Sequence, residues 1–342
     1  MDSLTQIALG SAVAVAVMGR RTAVWKAALW GGIAGTLPDL DAFIDHGDAI
    51  LNMVRHRAET HSLIYLTLFS PLLAWIVARL HRERHLFLHW WLALWLVLIT
   101  HPLLDTMTVY GTQLLQPFTD HPFGVGSMFI IDPAYTLPLL VGVIAALVLS
   151  KGGRGLRWNT LGLVLSTAYL GWSVAAQQVA TQVARASLQQ QGVSADRLLV
   201  TPAPFNTVLW RLVAVTPTHY MEGYYSLLDA RSVVRWTQHD RGPELIGRHG
   251  HSEPVARIAD FSHGFYRLRT TSDGHLQVTD LRMGQEPTYV FNFDVGPVES
   301  VGSVPASHRS SRPDTAAALA WLWQRARGAD LLPMGAALAA PQ

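Results

Sequence analysis

The chain has 342 residues, half of them hydrophobic and only 15% charged, with a formal net charge of +2. The length suggests two domains, or one domain with an appendage, and the small net charge excludes a basic nucleic-acid-binding surface. There is no cysteine, which excludes disulfides and thiolate metal sites. Apolar runs are concentrated in residues 1–185, whereas 186–342 resembles soluble sequence. Several of the twelve tryptophans (Trp25, Trp30, Trp90, Trp91, Trp158, Trp172) flank the apolar runs, as in an interfacial aromatic belt.

Six apolar helices are predicted, over 3–18, 23–37, 61–79, 86–104, 134–150 and 158–181. The first is read as a retained helix and not a signal peptide, because Arg20 and Arg21 follow the apolar run instead of preceding it. The first two fall short of the ~20 residues needed to span a bilayer and are expected to form a tight or partly inserted hairpin. The third to sixth are long enough to span. The connection 105–133 carries no Lys or Arg and is long, as functional loops often are. From 186 the pattern changes: β-formers mark 207–216, 219–228, 265–271, 276–282 and 288–293, with Ser272-Asp273-Gly274 as a hairpin turn. Helices are expected over 254–263 and 313–327. The fold class expected is therefore mostly α: a polytopic helical membrane domain (1–185) and a smaller α+β extracytoplasmic domain (186–328), followed by a flexible tail (329–342).

Basic residues set the expected orientation. The turns after the first, third and fifth helices carry Arg20, Arg21, Lys26, Arg79, Arg82, Arg84, Lys151, Arg154 and Arg157. The connections after the second and fourth carry only Arg55 and Arg57. The positive-inside rule puts the first set in the cytoplasm, and the N-terminus, the second set and the C-terminal domain outside. The bland alternative is a soluble helical core, but runs such as 90–100 have no polar face.

On this outer side four polar clusters meet helix ends: Asp2 to Gln6, Pro38-Asp39-Leu40-Asp41, His56 to Ser62, and Thr100 to Asp105. Ionisable residues beside spans are costly to place and tend to mark function, and His with Asp is a ligand set for a divalent metal. His101 and Asp105 are four apart, on one helical face. Alone, such a pair is more often a satisfied buried histidine; three further clusters tip the reading to metal. Thr60 is expected to cap the third helix with His61 in its first turn, and His56 in the approach loop. Arg57 is a candidate phosphate clamp, with lipid-headgroup contact as the bland alternative. Asp39 and Asp41 repel unless a cation lies between them; one could bridge two metals and the other ligate one. Either Asp39 or Asp105 could serve as proton acceptor. Asp132 is expected to cap the fifth helix, and Thr106 and Thr108 are secondary candidates. His249, His251 and His263 are read as ordinary loop histidines.

Taken together, DSLTQ, PDLD, HRAETHS and THPLLDTMTVYGTQLLQPF resemble the YdjM-like family of inner-membrane metal-dependent hydrolases, strongly over residues 1–145. More remotely, the pattern is similar to zinc-dependent phospholipase C and single-strand nucleases. The resemblance implies a metal-dependent hydrolase with Asp39, Asp41, His56, His61, His101 and Asp105 as ligands of zinc, or of manganese. It departs at Gln6, where many relatives have histidine. Gln is a weaker ligand, so the site holds fewer metals or Gln6 supports a ligand. The expected activity is hydrolysis of a phosphoester on a lipid-linked or envelope substrate at the outer face of the bacterial inner membrane, among membrane lipids and without nucleic acid. The alternative is a non-catalytic metal-binding membrane receptor or scaffold. A metal transporter is disfavoured, because no polar path runs through the spans.

Overall fold

A computed structural model describes residues 1–149, 153–309 and 315–334. The chain divides into two compact units. One holds residues 1–44 and 55–173; the other holds 45–54 and 174–342.

The first unit is helical. Its helices are α1 (Ser3–Met18), α2 (Val24–Thr36), α4 (Leu63–Leu80), α5 (Phe87–Asp105), α6 (Pro133–Val148) and the start of α7 (Arg154–Gln190); the short α3 (Ala49–Arg55) intervenes after α2. These match the six predicted helices, with α7 running beyond both expected ends. Of the described helices, α4 and the stretch Arg84–Asp105 are long and apolar enough to cross a membrane, while α1 and α6 are apolar but shorter. Sequence analysis counted four of spanning length; α6 falls short at 16 residues, and polar side chains dilute α7 beyond residue 173. Large apolar side chains lie exposed along these helices, among them Leu68, Leu72, Trp75, Leu88 and Ile144. Such a surface is unusual for a soluble monomer.

Helix ends follow capping chemistry. Asp2 Oδ1 accepts from Thr5 N (3.1 Å) at the start of α1. Asp132 Oδ1 accepts from Ala134 N (3.0 Å) and Pro133 occupies the first turn of α6, as expected. The cap of α4 is Ser62, whose Oγ accepts from Ile64 N (3.3 Å) and Tyr65 N (3.4 Å). The cap predicted at Thr60 is thereby corrected: Glu59–His61 forms a separate 3-10 turn, and Thr60 is used elsewhere. Glycines bring α1 and α2 close together. A Cβ on Gly10 would lie 2.2 Å from Gly31 O, and one on Gly35 would lie 2.6 Å from Gln6 O. That approach matters for the site, because Gly35 and Gln6 both face it.

The long loop 105–133 is ordered by backbone bonds. Leu63 N donates to Leu114 O (3.0 Å), Gln113 N to Arg57 O (2.9 Å) and Met128 N to Met107 O (2.9 Å). It covers the ends of α4 and α5.

The second unit contains two four-stranded antiparallel sheets. One has the order β1 (Arg197–Pro202), β2 (Leu209–Val215), β3 (His219–Ser226), β4 (Thr237–Asp240). After α8 (Pro243–His249) and α9 (Glu253–Phe261) come β5 (Tyr266–Thr270), β6 (His275–Asp280), a small hairpin β7–β8 (Gly284–Gln285, Thr288–Tyr289), β9 (Asn292–Pro297) and β10 (Ser307–His308). The second sheet has the order β10-β9-β6-β5, and α10 (Thr315–Ala326) follows. All five predicted strand regions contain strands, and Gly274 takes positive φ in the predicted turn. β1, β4, β7 and β10 were not predicted. β2 is buried along its whole length. Ala176, Ala180 and Ala184 of α7 pack with Trp210 and Leu212, while Val213 and Val215 pack with Phe265, Leu281 and Tyr289. Buried within this unit, Arg211 pairs with Glu222 (2.6 Å) and Arg267 with Glu286.

Three boundaries differ from the sequence reading. The change of character placed at 185/186 falls inside α7, and the units divide at 173/174. Residues 45–54 belong with the second unit, where Ala306 N donates to Asp48 Oδ2 (2.6 Å). The tail expected to be mobile from 329 packs as far as 334: Trp321 Nε1 donates to Leu332 O (2.9 Å), and Met334 is buried. The remainder, 335–342, lies outside the described residues.

Candidate metal centre

The four polar clusters of the first unit converge. Asp39 comes from the 3-10 turn Pro38–Phe43 after α2, His61 from the turn before α4, and His101 and Asp105 from the last turn of α5. One ligand atom from each lies within 4.8 Å of the others.

Each histidine is oriented by its second ring nitrogen. His101 Nδ1 lies 2.7 Å from Gly35 O, an acceptor, so Nδ1 carries the proton and Nε2 points at the cluster. His61 Nδ1 is 2.9 Å from Thr60 Oγ1 and 3.5 Å from Asp41 Oδ2, which again leaves Nε2 inward. The two Nε2 atoms face each other at 3.2 Å. Asp39 Oδ1 is 3.4 Å from both, and Asp105 Oδ2 is 3.4 Å from His61 Nε2 and 3.5 Å from His101 Nε2. A tetrahedral ion with bonds of about 2.0–2.2 Å requires donor separations about 1.63 times larger, roughly 3.3–3.6 Å. Five of the six separations among these two nitrogens and two oxygens, 3.2–3.5 Å, are close to those values, and the sixth, between the two carboxylates, is within 4.8 Å, so the group could hold a divalent ion.

Unsatisfied atoms agree with this. The acceptors Asp105 Oδ2 and Gln6 Oε1 are buried without a hydrogen-bond partner, an arrangement native interiors avoid unless something else, here a cation, meets the need. Asp105 is otherwise heavily engaged. Its Oδ1 accepts from Gln6 Nε2 (3.1 Å) and pairs with the Met1 ammonium, and its Oδ2 lies 3.3 Å from Arg57 Nε. Gln6 thus supports a candidate ligand from α1.

Asp41 and His56 stand apart from the four. His56 Nδ1 is 2.7 Å from Asp41 Oδ1. Asp41 Oδ2 accepts from Thr60 Oγ1 (2.6 Å) and from Arg57 N (3.0 Å). The structure brings Asp39, His61, His101 and Asp105 into one donor group, with Asp41 and His56 as a neighbouring pair that braces His61 and Arg57. Arg57 is buried, has φ of 68°, donates from Nη1 to Thr108 Oγ1 (3.2 Å) and lies over the Tyr110 ring. A non-glycine residue at positive φ stores strain of about 1–3 kcal/mol, and such strain is enriched at functional sites. Thr108 thus holds Arg57, whereas Thr106 Oγ1 donates back to Leu103 O (2.7 Å).

The electrostatics follow from this crowding. Burial alone would raise the Asp39 carboxyl, but His101 and His61 outweigh it and hold it well below the usual range. Burial likewise works against the Asp41 carboxylate, and His56, His61 and Thr60 pull its pKa far down. For His61, burial pushes the pKa down, yet Asp105, Asp39 and Asp41 together raise it to about 9. In the second unit, Asp273, His275 and Asp294 also come together. There Arg309 already supplies the cation, 2.5 Å from Asp273 and 2.7 Å from Asp294. Sequence analysis passed over this group because its members lie apart in the chain, Asp273 in a turn, His275 on β6 and Asp294 on β9. It also passed over Met1, since an N-terminal amine carries no motif.

A model of the YdjM inner membrane protein family matches residues 1–180, more than half of the chain. The chain belongs to this family. It is also similar to the uncharacterized protein YfhP of Bacillus subtilis (strain 168), 24% identical over 305 residues that cover 85% of this chain and 89% of that protein. No solved structure matches the chain. The family match spans all four converging clusters, and the likeness to YfhP extends well into the second unit.

Proposed function

We propose that this protein is a multi-pass inner-membrane hydrolase, facing the periplasm, that cleaves a phosphoester at a divalent-metal site formed by Asp39, His61, His101 and Asp105. The observation that carries the reading is the convergence of four buried or half-buried His and Asp donors, within 4.8 Å of one another, beside a buried arginine. Zinc suits two imidazoles and two carboxylates, and manganese is the second choice. Such an ion, when bound, supplies Lewis-acid stabilisation of phosphoryl oxygens and lowers the pKa of water. Arg57 places a fixed positive charge beside the cluster, in a form suited to phosphate. Asp39 is the most open of the cluster's carboxylates, with its side chain 21% exposed. Its second oxygen, Oδ2, is not one of the four donor atoms and is the candidate to take the proton from attacking water and return it to the departing alkoxide. The periplasmic orientation is supported by the basic turns on the opposite helix ends.

A second reading is favoured by one feature. Catalytic zinc sites keep an open position, whereas four closed protein ligands are typical of structural ones. On that reading the protein is a metal-stabilised receptor or scaffold. The experiment is metal analysis of the purified protein, paired with hydrolysis of a soluble phosphodiester by the native chain, His101→Ala and Asp105→Asn. Hydrolysis that depends on metal and is lost in both variants supports the enzyme. Stoichiometric metal without hydrolysis supports the scaffold. Metal content unchanged by His101→Ala overturns both.

A further inference from the structure

An apolar groove of about 320 Å³ lies beside the cluster. Leu37 and Pro38 from the end of α2, Tyr65, Leu66 and Phe69 from α4, and Leu98 from α5 line it. Its polar lining is Glu59, Thr60 and the Tyr65 hydroxyl. The groove reaches the cluster at two points. Pro38 directly precedes Asp39, and the Thr60 hydroxyl touches both Asp41 (2.6 Å) and His61 (2.9 Å). Leu66 and Leu98 are buried, while Tyr65 and Phe69 are partly exposed. Leu68 and Leu72, adjoining Phe69 on α4, are more exposed still. An apolar surface therefore continues along α4 away from the groove.

We infer that this groove seats a hydrocarbon chain of a phosphate-bearing membrane amphiphile, whose headgroup is thereby presented to the His/Asp cluster. The headgroup assignment rests on the phosphoester reading above; the chain assignment rests on the groove. Its walls are mainly apolar, with only Glu59, Thr60 and the Tyr65 hydroxyl offering polar groups, and the Glu59 carboxylate repels an anionic group. An anion is driven instead toward the Arg57 guanidinium beside the cluster. The volume is near the lower end of small-ligand pockets, about 300–1,000 Å³, and suits one chain segment better than a whole two-chain lipid. An amphiphile lying in a bilayer meets these requirements together: apolar entry along α4, an apolar slot, and the Arg57 guanidinium near the headgroup end.

The test uses the full chain, metal-loaded, in lipid nanodiscs. The probes are a long-chain alkyl phosphate with a diazirine within its chain and the matching alkyl alcohol. The phosphate probe is expected to label residues 65–69, with labelling reduced by excess inorganic phosphate, while the alcohol labels α4 and α5 diffusely. Leu66→Trp fills the groove floor and should cut phosphate-probe labelling about tenfold, equivalent to ~1.4 kcal/mol of binding. Phe69→Ala, at the exposed mouth, should lower it less and keeps the test informative if the tryptophan disturbs folding. Equal labelling of 65–69 by both probes, or labelling unchanged in Phe69→Ala and a folded Leu66→Trp, overturns the inference. Hydrolysis of a soluble phosphodiester by the native chain, with no preference between probes, leaves the enzyme standing and removes the groove. Groove labelling specific to the phosphate probe, in a protein that hydrolyses nothing, does the reverse.

Discussion

Metal binding at the cluster should compete with one proton on His61. In the metal-free protein burial disfavours the imidazolium, but Asp105, Asp39 and Asp41 overcome this and raise its pKa to about 9 from the usual 6.5. Ligation needs the neutral ring. Between pH 6.5 and 8.0 the ring must then lose a proton for each ion bound, and apparent affinity should rise about tenfold per pH unit, roughly thirtyfold or ~2 kcal/mol across that window. Stability of the metal-free fold should move oppositely. Because the folded pKa is raised, the contribution of protonated His61 is fully present below 6.5 and is lost as pH climbs through about 9. Zinc competition against a chromophoric chelator at several pH values gives the slope. Calorimetry in two buffers of different ionisation enthalpy gives the proton count, expected near one at pH 7. An affinity independent of pH, or release of less than about half a proton, would show that His61 is already neutral or is not a ligand.

Gln6→His should add a nitrogen donor beside Asp105, slowing metal loss to a chelator or raising stoichiometry; unchanged retention would place residue 6 outside metal coordination. Gly35→Ala drives a Cβ to 2.6 Å from Gln6 O, beside the carbonyl that orients His101. It should cost about 1–3 kcal/mol in thermal or denaturant unfolding and weaken metal binding; a variant as stable and metal-tight as the native chain would contradict the close α1–α2 packing. A reporter active only in the periplasm should work when fused after Asp105 or after residue 190 and fail after Arg82 or Arg154. The reverse pattern would turn the site to the cytoplasm.

Much of this was legible in the chain. The six helices were visible because apolar runs bounded by Gly, Pro and charged residues dictate helices locally, and the C-terminal strands because their β-formers are interrupted by turn residues. His101 and Asp105 could be paired from sequence, because four residues on one helix is a local spacing. The rest depended on packing between distant segments. Nothing local distinguishes Asp39, which joins the two histidines, from Asp41, which binds His56 and Thr60. That choice is made by the 3-10 turn after α2 and by the glycine contacts that seat α2 against α1. Nor could sequence show that Gln6 reaches Asp105 across 99 positions, or that Arg57 is held at positive φ by Asp41, Thr108 and Gln113. The residue types and their spacing determined that a metal-like donor set exists; which donors share one centre was decided by helix approach, because donor separations of 3.2–3.5 Å are set by backbone placement and not by sequence distance.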